Sequence, residues 1–406
     1  MNKKIIGSII AIILLISFIG YFAYKDPQTR FSVAKILGLK KSPQVGSNIN
    51  IEEYMTGLRN PTTMSFVEND IMFLEKNTGM IKIIKNGKVL DEPLHDFNVS
   101  NMYESGLLGI LVDNQDVYVY VTEANGDGGD PIADNIYKFS WDGEKLENKQ
   151  LIKSLPGFAS WHNGGILVKG LDGTIFGVRG DQREPFGKLD YGILQNQPKG
   201  QPDDTGIILI VNRGEDITPS KSSDPSEYYY AIGIRNSFGL AIDPITGNLW
   251  DTENGDESFD EINFVPHMMN SGWNKIMGPV NATQIIDLPH FHNFSYSDPE
   301  FSWKNTVAPT AIVFSDERLS VKFQDTVFVA DCSGTIYNFK LNSDRTGFVF
   351  NNPQLSDNIA DPDDDLSEII VAKGMGCISD MKISPYGSIF VISHASNAVM
   401  YKITFS

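Results

Sequence analysis

The chain of 406 residues carries 33 basic and 51 acidic residues, and its net charge of −18 argues against nucleic acid as a partner because such a surface repels phosphate backbones. With 36 glycines, 20 prolines and 11% aromatic residues, the composition favours a turn-rich β protein over a helical one. A single compact core rarely serves a chain of this length, unless the sheets close into a barrel or a propeller whose blades each carry a small core.

The N-terminal segment contains an apolar run over residues 5–24, which follows Lys3 and Lys4. A run of about 20 residues spans the hydrocarbon core of a bilayer. It is longer than the apolar region of a secretory signal peptide, and no small-x-small cleavage site is evident. Residues 1–26 are therefore predicted to be an uncleaved, single-pass membrane anchor.

Residues 27–47 are predicted to be a linker. Phe31, Ala34 and Leu37, with basic residues between them, could instead form a short interfacial helix that lies on the membrane. Basic residues on both sides of the apolar run leave its orientation open, but three glycosylation sequons fit a domain that faces outside the cytoplasm. The sequons are at Asn98, Asn281 and Asn293.

Residues 48–406 alternate short β runs with turns rich in Gly, Asn, Asp and Pro. The runs are rich in Val, Ile and Phe, and no helical periodicity longer than two turns follows the anchor. The absence of helices excludes a parallel α/β fold. Examples of the runs are Ile71–Leu74, Ile81–Ile84, Val117–Val121, Ile166–Val168, Ile207–Val211, Val327–Ala330 and Ile389–Ile392.

A repeat recurs in this domain: a turn, an apolar strand and a second short strand. Its copies begin near residues 77, 171, 245, 324 and 385. Spacings of roughly 60–95 residues suit six four-stranded blades with loop insertions. The sequence therefore predicts an all-β fold, a six-bladed β-propeller behind an N-terminal transmembrane helix.

Six short segments of this domain together resemble one family, the soluble quinoprotein glucose and sorbosone dehydrogenases, which depend on pyrroloquinoline quinone (PQQ). The resemblance implies a six-bladed propeller that holds PQQ in the mouth of its channel and oxidises an aldose sugar at C1. The segments, in family order, are ESGLLG at 104–109, HNGG at 162–165, GDQ at 180–182, GIRNSFGLA at 233–241, ENGDESFDEIN at 253–263, and Trp303 with APT at 308–310.

The resemblance also assigns catalytic roles. The family's general base is the histidine of the HNGG-like segment, which corresponds to His162. A neutral imidazole suits the removal of a hydroxyl proton while hydride leaves for the quinone. Asp181 would orient and polarise the ring, and Arg235 would stabilise charge on the quinone oxygen. The implied cofactor-binding residues are Glu104, Gln182, Arg235, Asn236 and Asn254.

A calcium site is implied next to the cofactor. Gly255 and Asp256 fall where the family supplies backbone carbonyls to a calcium ion beneath the quinone, and hard cations take oxygen ligands. Asp260 and Glu261 follow in the same motif, so they could serve the metal or the wall of the site. An acidic loop of this kind is equally typical of a solvated turn.

The resemblance fails where relatives bind the three carboxylates of PQQ. Relatives use a lysine on a late blade and two arginines in a GRIRD segment. Here Cys332 or Ser333 stands near the lysine position, and Cys377 and Ser379 replace the arginines. The loss of three charge-assisted contacts should weaken binding of a trianion by several kcal/mol, roughly 1.5–3 each. Candidates to compensate are Arg179, Arg183 and Lys304.

Cys332 and Cys377 are the only cysteines of the chain. On neighbouring blades at the channel mouth of an outward-facing domain they could form a disulfide, with Cα atoms about 4.4–6.8 Å apart. Two alternatives stay open. One is a thiolate metal site with His162 or His394, and the other is two unrelated buried thiols.

The sequence thus predicts a membrane-anchored oxidoreductase that acts on a sugar and passes electrons to an unknown acceptor. One alternative is a propeller that has lost PQQ and holds another ligand or a metal. Another is a non-catalytic surface module that binds glycans or a protein. The joint presence of His162, Asp181 and Arg235 disfavours this last hypothesis, and the missing cations separate the first from the second.

Overall fold

The computed structural model describes residues 43–45, 49–157, 159–182, 191–213, 224–280 and 287–405. The predicted anchor and nearly all of the predicted linker lie outside these residues, as do Arg183 and the sequon at Asn281. Within the described ranges, no helix has the length and apolar character needed to cross a membrane.

The regular secondary structure of the described residues is almost entirely β-strand, with short 3₁₀ turns at Ile193–Gln195, Pro225–Glu227, Val321–Phe323 and Pro353–Leu355. In chain order the strands are β1 (Gln44–Val45), β2 (Ile49–Leu58), β3 (Pro61–Val67), β4 (Asp70–Glu75), β5 (Met80–Lys85), β6 (Lys88–Val89), β7 (His95–Asp96), β8 (Leu107–Asp113), β9 (Asp116–Ala124), β10 (Pro131–Trp141), β11 (Leu146–Pro156), β12 (Leu167–Lys169), β13 (Ile175–Arg179), β14 (Ile207–Asn212), β15 (Tyr229–Ile232), β16 (Ser237–Ile242), β17 (Leu249–Glu253), β18 (Asp260–Val265), β19 (Met269–Asn270), β20 (Ser295–Tyr296), β21 (Phe301–Trp303), β22 (Pro309–Phe314), β23 (Thr326–Asp331), β24 (Thr335–Leu341), β25 (Phe348–Val349), β26 (Ile359–Ala360), β27 (Ile370–Lys373), β28 (Ile378–Ile383), β29 (Ile389–Ser393) and β30 (Ala398–Phe405).

These strands form six sheets, and the main strands of each sheet pair antiparallel. The innermost strands β3, β8, β12, β16, β22 and β28 contact one another in that order, and β28 contacts β3, so the sheets close a ring. The sheet orders are β3-β4-β5-β6, β8-β9-β10-β11, β12-β13-β14-β15-β19-β20, β16-β17-β18-β21-β26, β22-β23-β24-β27-β1 and β28-β29-β30-β2. The predicted all-β propeller is confirmed.

The ring is closed by strands from the two ends of the described chain. Strand β2 pairs antiparallel with β30, and the register runs from Ile49 opposite Phe405 to Leu58 opposite Ala398. Strand β2, which precedes the first sheet in the sequence, is therefore the outermost strand of the last sheet. The last sheet thus contains strands from both ends of the described chain.

The apolar core lies between neighbouring sheets. Met72 and Leu74 of β4 pack in one cluster with Val119 and Val121 of β9, and all four side chains are fully buried. Because a blade is covered on both faces, its middle strands are buried along their whole length, as in β23 and β29. This explains why the sequence shows continuous apolar runs at these strands instead of strict alternation.

Candidate active site

A cavity of about 550 Å³ lies at the end of the ring where the innermost strands begin. Each innermost strand, or the segment just before it, contributes to the wall, so the cavity occupies the mouth of the central channel. The contributors are Thr62 and Thr63 for β3, Leu108 for β8, His162 and Ile166 for β12, Arg235 and Phe238 for β16, Ala308 and Thr310 for β22, and Cys377, Ile378 and Ser379 for β28.

His162 and Asp181 form a buried pair at this wall. His162 Nδ1 lies 2.5 Å from Asp181 Oδ1, and the two residues are 7% and 3% exposed. A carboxylate accepts a hydrogen bond, so Nδ1 carries the proton and Nε2 presents its lone pair. Nε2 makes no hydrogen bond to any described residue. The pair thus has the arrangement of a general base with its orienting carboxylate.

The second oxygen of Asp181 is also held. Trp273 Nε1 donates to Asp181 Oδ2 over 2.6 Å, and the Trp273 ring lies beneath the Arg235 guanidinium at 5.3 Å. The sequence analysis did not identify Trp273. It is a lone tryptophan between β19 and β20, and only its contacts in three dimensions link it to the site.

The backbone of His162 is fixed in an uncommon conformation. Its φ is +56°, in the left-handed region that costs a non-glycine residue roughly 1 kcal/mol or more. Glu104 Oε2 accepts a hydrogen bond from the His162 N–H at 2.6 Å, and Gln182 Nε2 donates to its carbonyl at 3.2 Å. At Gly180 an added Cβ would lie 2.6 Å from the carbonyl oxygens of both His162 and Arg235, so only glycine allows this close approach.

Arg235 lies across the cavity wall with its charge partly neutralised. One terminal nitrogen donates to the Asn254 carbonyl at 2.8 Å, and the other pairs with Asp256 Oδ1 at 2.9 Å. Its backbone N–H donates to Glu253 Oε1 at 2.6 Å, as the N–H of His162 does to Glu104. The half-buried Glu104 and the buried Glu253 therefore position the backbones of the two predicted catalytic residues.

The predicted cofactor-binding residues separate into two groups. Glu104, Arg235, Asn236 and Asn254 line the cavity, whereas Gln182 is fully buried behind His162. Burial raises the pKa of Glu104, while His162, Arg235 and the amide of Asn236 oppose that shift. The Asn236 amide lies 3.4–3.5 Å from the Glu104 carboxyl.

Of the four residues predicted to hold calcium, Gly255 and Asp260 line the cavity. Asp260 accepts backbone N–H groups from Gly255 at 2.7 Å and from Val307 and Ala308 at 2.5 and 2.7 Å, which pins the loop beside the cavity. Asp256 pairs with Arg235. Across the described ranges, no group of three or more His, Cys, Asp or Glu side chains is arranged to hold a metal ion.

Glu261 lies away from the cavity, because Asp260 and Glu261 are consecutive in β18 and point to opposite faces of the sheet. Glu261 is paired with Glu253 across the strands, and Asp251 is a neighbour on β17. Burial raises the pKa of Glu261, of Asp251 and of Glu253, and for Glu253 the two nearby carboxyls add to the effect. These side chains form a buried acidic cluster behind the site.

Cys332 and Cys377 form a disulfide that lines the cavity. Cys332 lies in the turn between β23 and β24, and Cys377 directly precedes β28 of the neighbouring sheet. The predicted bridge is confirmed, but the Cα atoms are 3.8 Å apart, so the expected range of 4.4–6.8 Å is wrong for it. Since neither cysteine is free, the thiolate metal site is excluded.

The residues proposed to compensate for the missing cations lie elsewhere. Arg179 is fully buried and pairs with Asp134 at 3.2 Å, and Lys304 pairs with Asp361 at 2.7 Å on the surface. Neither lines the cavity. Arg183 lies outside the described residues.

A lysine that the sequence analysis missed does line the cavity. Lys76 follows β4, is 7% exposed, and donates from Nζ to the carbonyls of Tyr103 and Ser105, both at 2.8 Å. Burial lowers the pKa of Lys76 to about 8, and Glu104 opposes this shift. Nothing in the surrounding sequence marks Lys76 as a site residue, since a lysine at a strand end is usually solvated.

Comparison with known proteins identifies a family of sugar dehydrogenases. The sequence profile of the family described as Glucose / Sorbosone dehydrogenase matches residues 58–402. The aldose sugar dehydrogenase YliI of Escherichia coli is 22% identical over 88% of this chain and 93% of its own length. Quinoprotein glucose dehydrogenase B of Acinetobacter calcoaceticus is 27% identical over 68% of this chain and 62% of its own length.

Solved structures share the fold. The PQQ-bound aldose sugar dehydrogenase of Streptomyces coelicolor aligns with a TM-score of 0.65 and 20% identity, over 89% of this chain and all of that one. The apo form of the Escherichia coli aldose sugar dehydrogenase gives 0.67 and 20% identity, over 88% and 100%. At these identities the likeness concerns the propeller alone.

Proposed function

Because the chain belongs to the glucose and sorbosone dehydrogenase family, we propose that it is a PQQ-dependent oxidoreductase that oxidises an aldose sugar at C1. The observation that carries the proposal is the His162–Asp181 pair in the wall of the channel-mouth cavity. Relatives that bear the names aldose sugar dehydrogenase and quinoprotein glucose dehydrogenase support the class of reaction.

The cavity wall presents positive charges and hydrogen-bond acceptors to a polar cofactor. Arg235 Nε, Asn236 Oδ1 and Asn254 Oδ1 are buried without a hydrogen-bond partner among the described residues. All three residues line the cavity, and an unpaired buried polar atom is costly. Arg235 and Lys76 add two positive charges to the wall. The two cations would bind carboxylates of the quinone, although Glu104 and Asp260 line the same cavity. The two amide oxygens accept hydrogen bonds, so they would suit donor groups of a ligand.

When bound, PQQ supplies the acceptor for the hydride that leaves C1. The chain supplies the base: His162 Nε2 accepts the proton of the C1 hydroxyl, because Nδ1 is committed to Asp181. Asp181 maintains this tautomer and stabilises the imidazolium that forms. The Arg235 guanidinium stabilises negative charge that develops on a group bound beside it.

In this proposal, calcium would be bound only by the main-chain carbonyls of Gly255 and Asp256. The nearby carboxylates do not fit a metal site, since Asp260 already accepts three backbone N–H groups and Asp256 is paired with Arg235. No step of the reaction is therefore assigned to a metal ion.

The proposal is tested by dye-linked oxidation with the purified chain, added PQQ and calcium. We expect dye reduction with glucose, and none with methyl glucoside, whose C1 hydroxyl is blocked, or with glucitol, which has no hemiacetal. Omission of PQQ should abolish the activity. The proposal is contradicted if PQQ binds and no aldose is oxidised. The assignment of oxidation to C1 is contradicted if the methyl glucoside is oxidised as well as glucose.

We further propose that residues 1–26 anchor the chain as a single span, with the propeller outside the cytoplasm. The apolar run supports the anchor, and the Cys332–Cys377 disulfide supports an oxidising compartment. Deletion of residues 1–26 should move the protein from the membrane fraction to the soluble fraction with an unchanged circular dichroism spectrum. Retention in the membrane after deletion would assign the anchoring to another segment.

A further inference from the structure

We propose that Lys76 is the cation that binds a carboxylate of the cofactor, in the cavity where Cys377 and Ser379 replace the family's arginines. This inference rests on the proposed function, because it names the group that the cavity uses to bind an anionic quinone.

The geometry leaves Lys76 with one available donor. An ammonium group has three N–H bonds, and two of them are directed to the carbonyls of Tyr103 and Ser105. The Lys76 side chain is buried in the cavity wall. The backbone N–H of Lys76 donates to the Asn60 carbonyl at 3.0 Å. The charge is therefore held in place, and a ligand in the cavity can accept the third hydrogen.

Hydrogen bonds link the backbone segment beside Lys76 to the altered residues. The carbonyl of Pro61, one residue after Asn60, accepts hydrogen bonds from Ser379 Oγ at 3.0 Å and from His394 Nδ1 at 2.9 Å. The backbone N–H of His394 in turn donates to the Cys377 carbonyl at 2.6 Å. Lys76 lies on the neighbouring sheet of the same cavity, with its ammonium at the carbonyls of Tyr103 and Ser105. The sheet of Cys377 and Ser379 carries no cation among the described cavity residues.

The titratable groups that face Lys76 are Glu104 and His394. Glu104 is the carboxyl that interacts with it, but Glu104 is itself shared with His162, Arg235 and Asn236. On the other side, burial lowers the pKa of His394, and Lys76 contributes to that decrease, so this imidazole is neutral beside the ammonium. A carboxylate in the cavity would stabilise the charged form of Lys76 and raise its pKa.

The test is calorimetric titration of the full chain with PQQ in the absence of sugar. We expect Lys76→Met to weaken binding by roughly 10–100-fold, the range of one charge-assisted contact, and Lys76→Arg to retain most of the affinity. Lys304→Met removes a surface lysine paired with Asp361 outside the cavity and should leave the affinity unchanged. Equal binding by wild type and Lys76→Met would overturn the inference while the proposed function stands.

The pH profile separates a binding role from a structural one. Since Lys76 must be protonated to bind a carboxylate, wild-type affinity should fall as the pH rises above about 8. Arginine does not titrate in this range, so Lys76→Arg should show no such fall. A shared decline in both proteins would contradict the assignment, even if Lys76→Met does not fold.

A redox-inert probe, pyridine-2,4-dicarboxylate, distinguishes failure of the inference from failure of the proposed function. If this probe binds wild type and not Lys76→Met, the anion site is supported even where no sugar is oxidised. If neither the dicarboxylate nor PQQ binds wild type, both proposals are overturned.

Discussion

We expect His162→Gln to lower the turnover of PQQ-dependent aldose oxidation by roughly 10²–10⁴-fold, the contribution of a positioned general base. Glutamine approximates the size of the imidazole and can still donate to Asp181, but it has no basic nitrogen to accept the hydroxyl proton. The measurement is dye-linked turnover at saturating aldose.

Binding of PQQ is the matched readout for this variant. His162 acts on the sugar proton in the proposed reaction, so calorimetric affinity for PQQ should change far less than turnover. Wild-type turnover in His162→Gln would remove His162 as the base. A loss of turnover that follows an equal loss of PQQ affinity would assign His162 to cofactor binding instead.

The pairing of His162 with Asp181 was predictable because each residue belongs to a short sequence motif. HNGG and GDQ are separated by 14 residues, and β12 and β13 pair between them, which brings His162 and Asp181 to hydrogen-bond distance. Cys332 and Cys377 were predictable as a pair because they occupy two altered positions of one family pocket. In each case local sequence and fold point to the same contact.

Other parts were not predictable from the pattern. Lys76 and Trp273 are single residues without a motif, and their roles come from contacts over long sequence separations, 27 residues to Tyr103 and 92 to Asp181. The position of Glu261 had a usable signal: consecutive residues of a strand point to opposite faces, so Asp260 and Glu261 could not both face the cavity. Reading ENGDESFDEIN as one metal-binding loop overlooked that its last residues form β18.

Asp181→Asn is expected to lower turnover by roughly 10²–10⁴-fold through the tautomer of His162. Trp273 Nε1 donates to one oxygen of Asp181, so in the variant the amide oxygen would accept that hydrogen bond and the NH₂ group would face His162 Nδ1. Nδ1 would then have to accept, and the proton would move to Nε2. The base would thus be blocked although every side chain keeps its place. Turnover at saturating aldose measures the effect.

The control for this mechanism is the double variant Asp181→Asn with Trp273→Phe. Without the indole N–H the amide can turn its oxygen toward Nδ1 and restore the tautomer that leaves Nε2 free. We therefore expect the double variant to be more active than Asp181→Asn alone, even though it carries a second substitution in the site. Trp273→Phe alone should lose little turnover, because Asp181 still accepts from Nδ1. Strictly additive losses in the double variant would show that Asp181 acts through its charge and not through the tautomer.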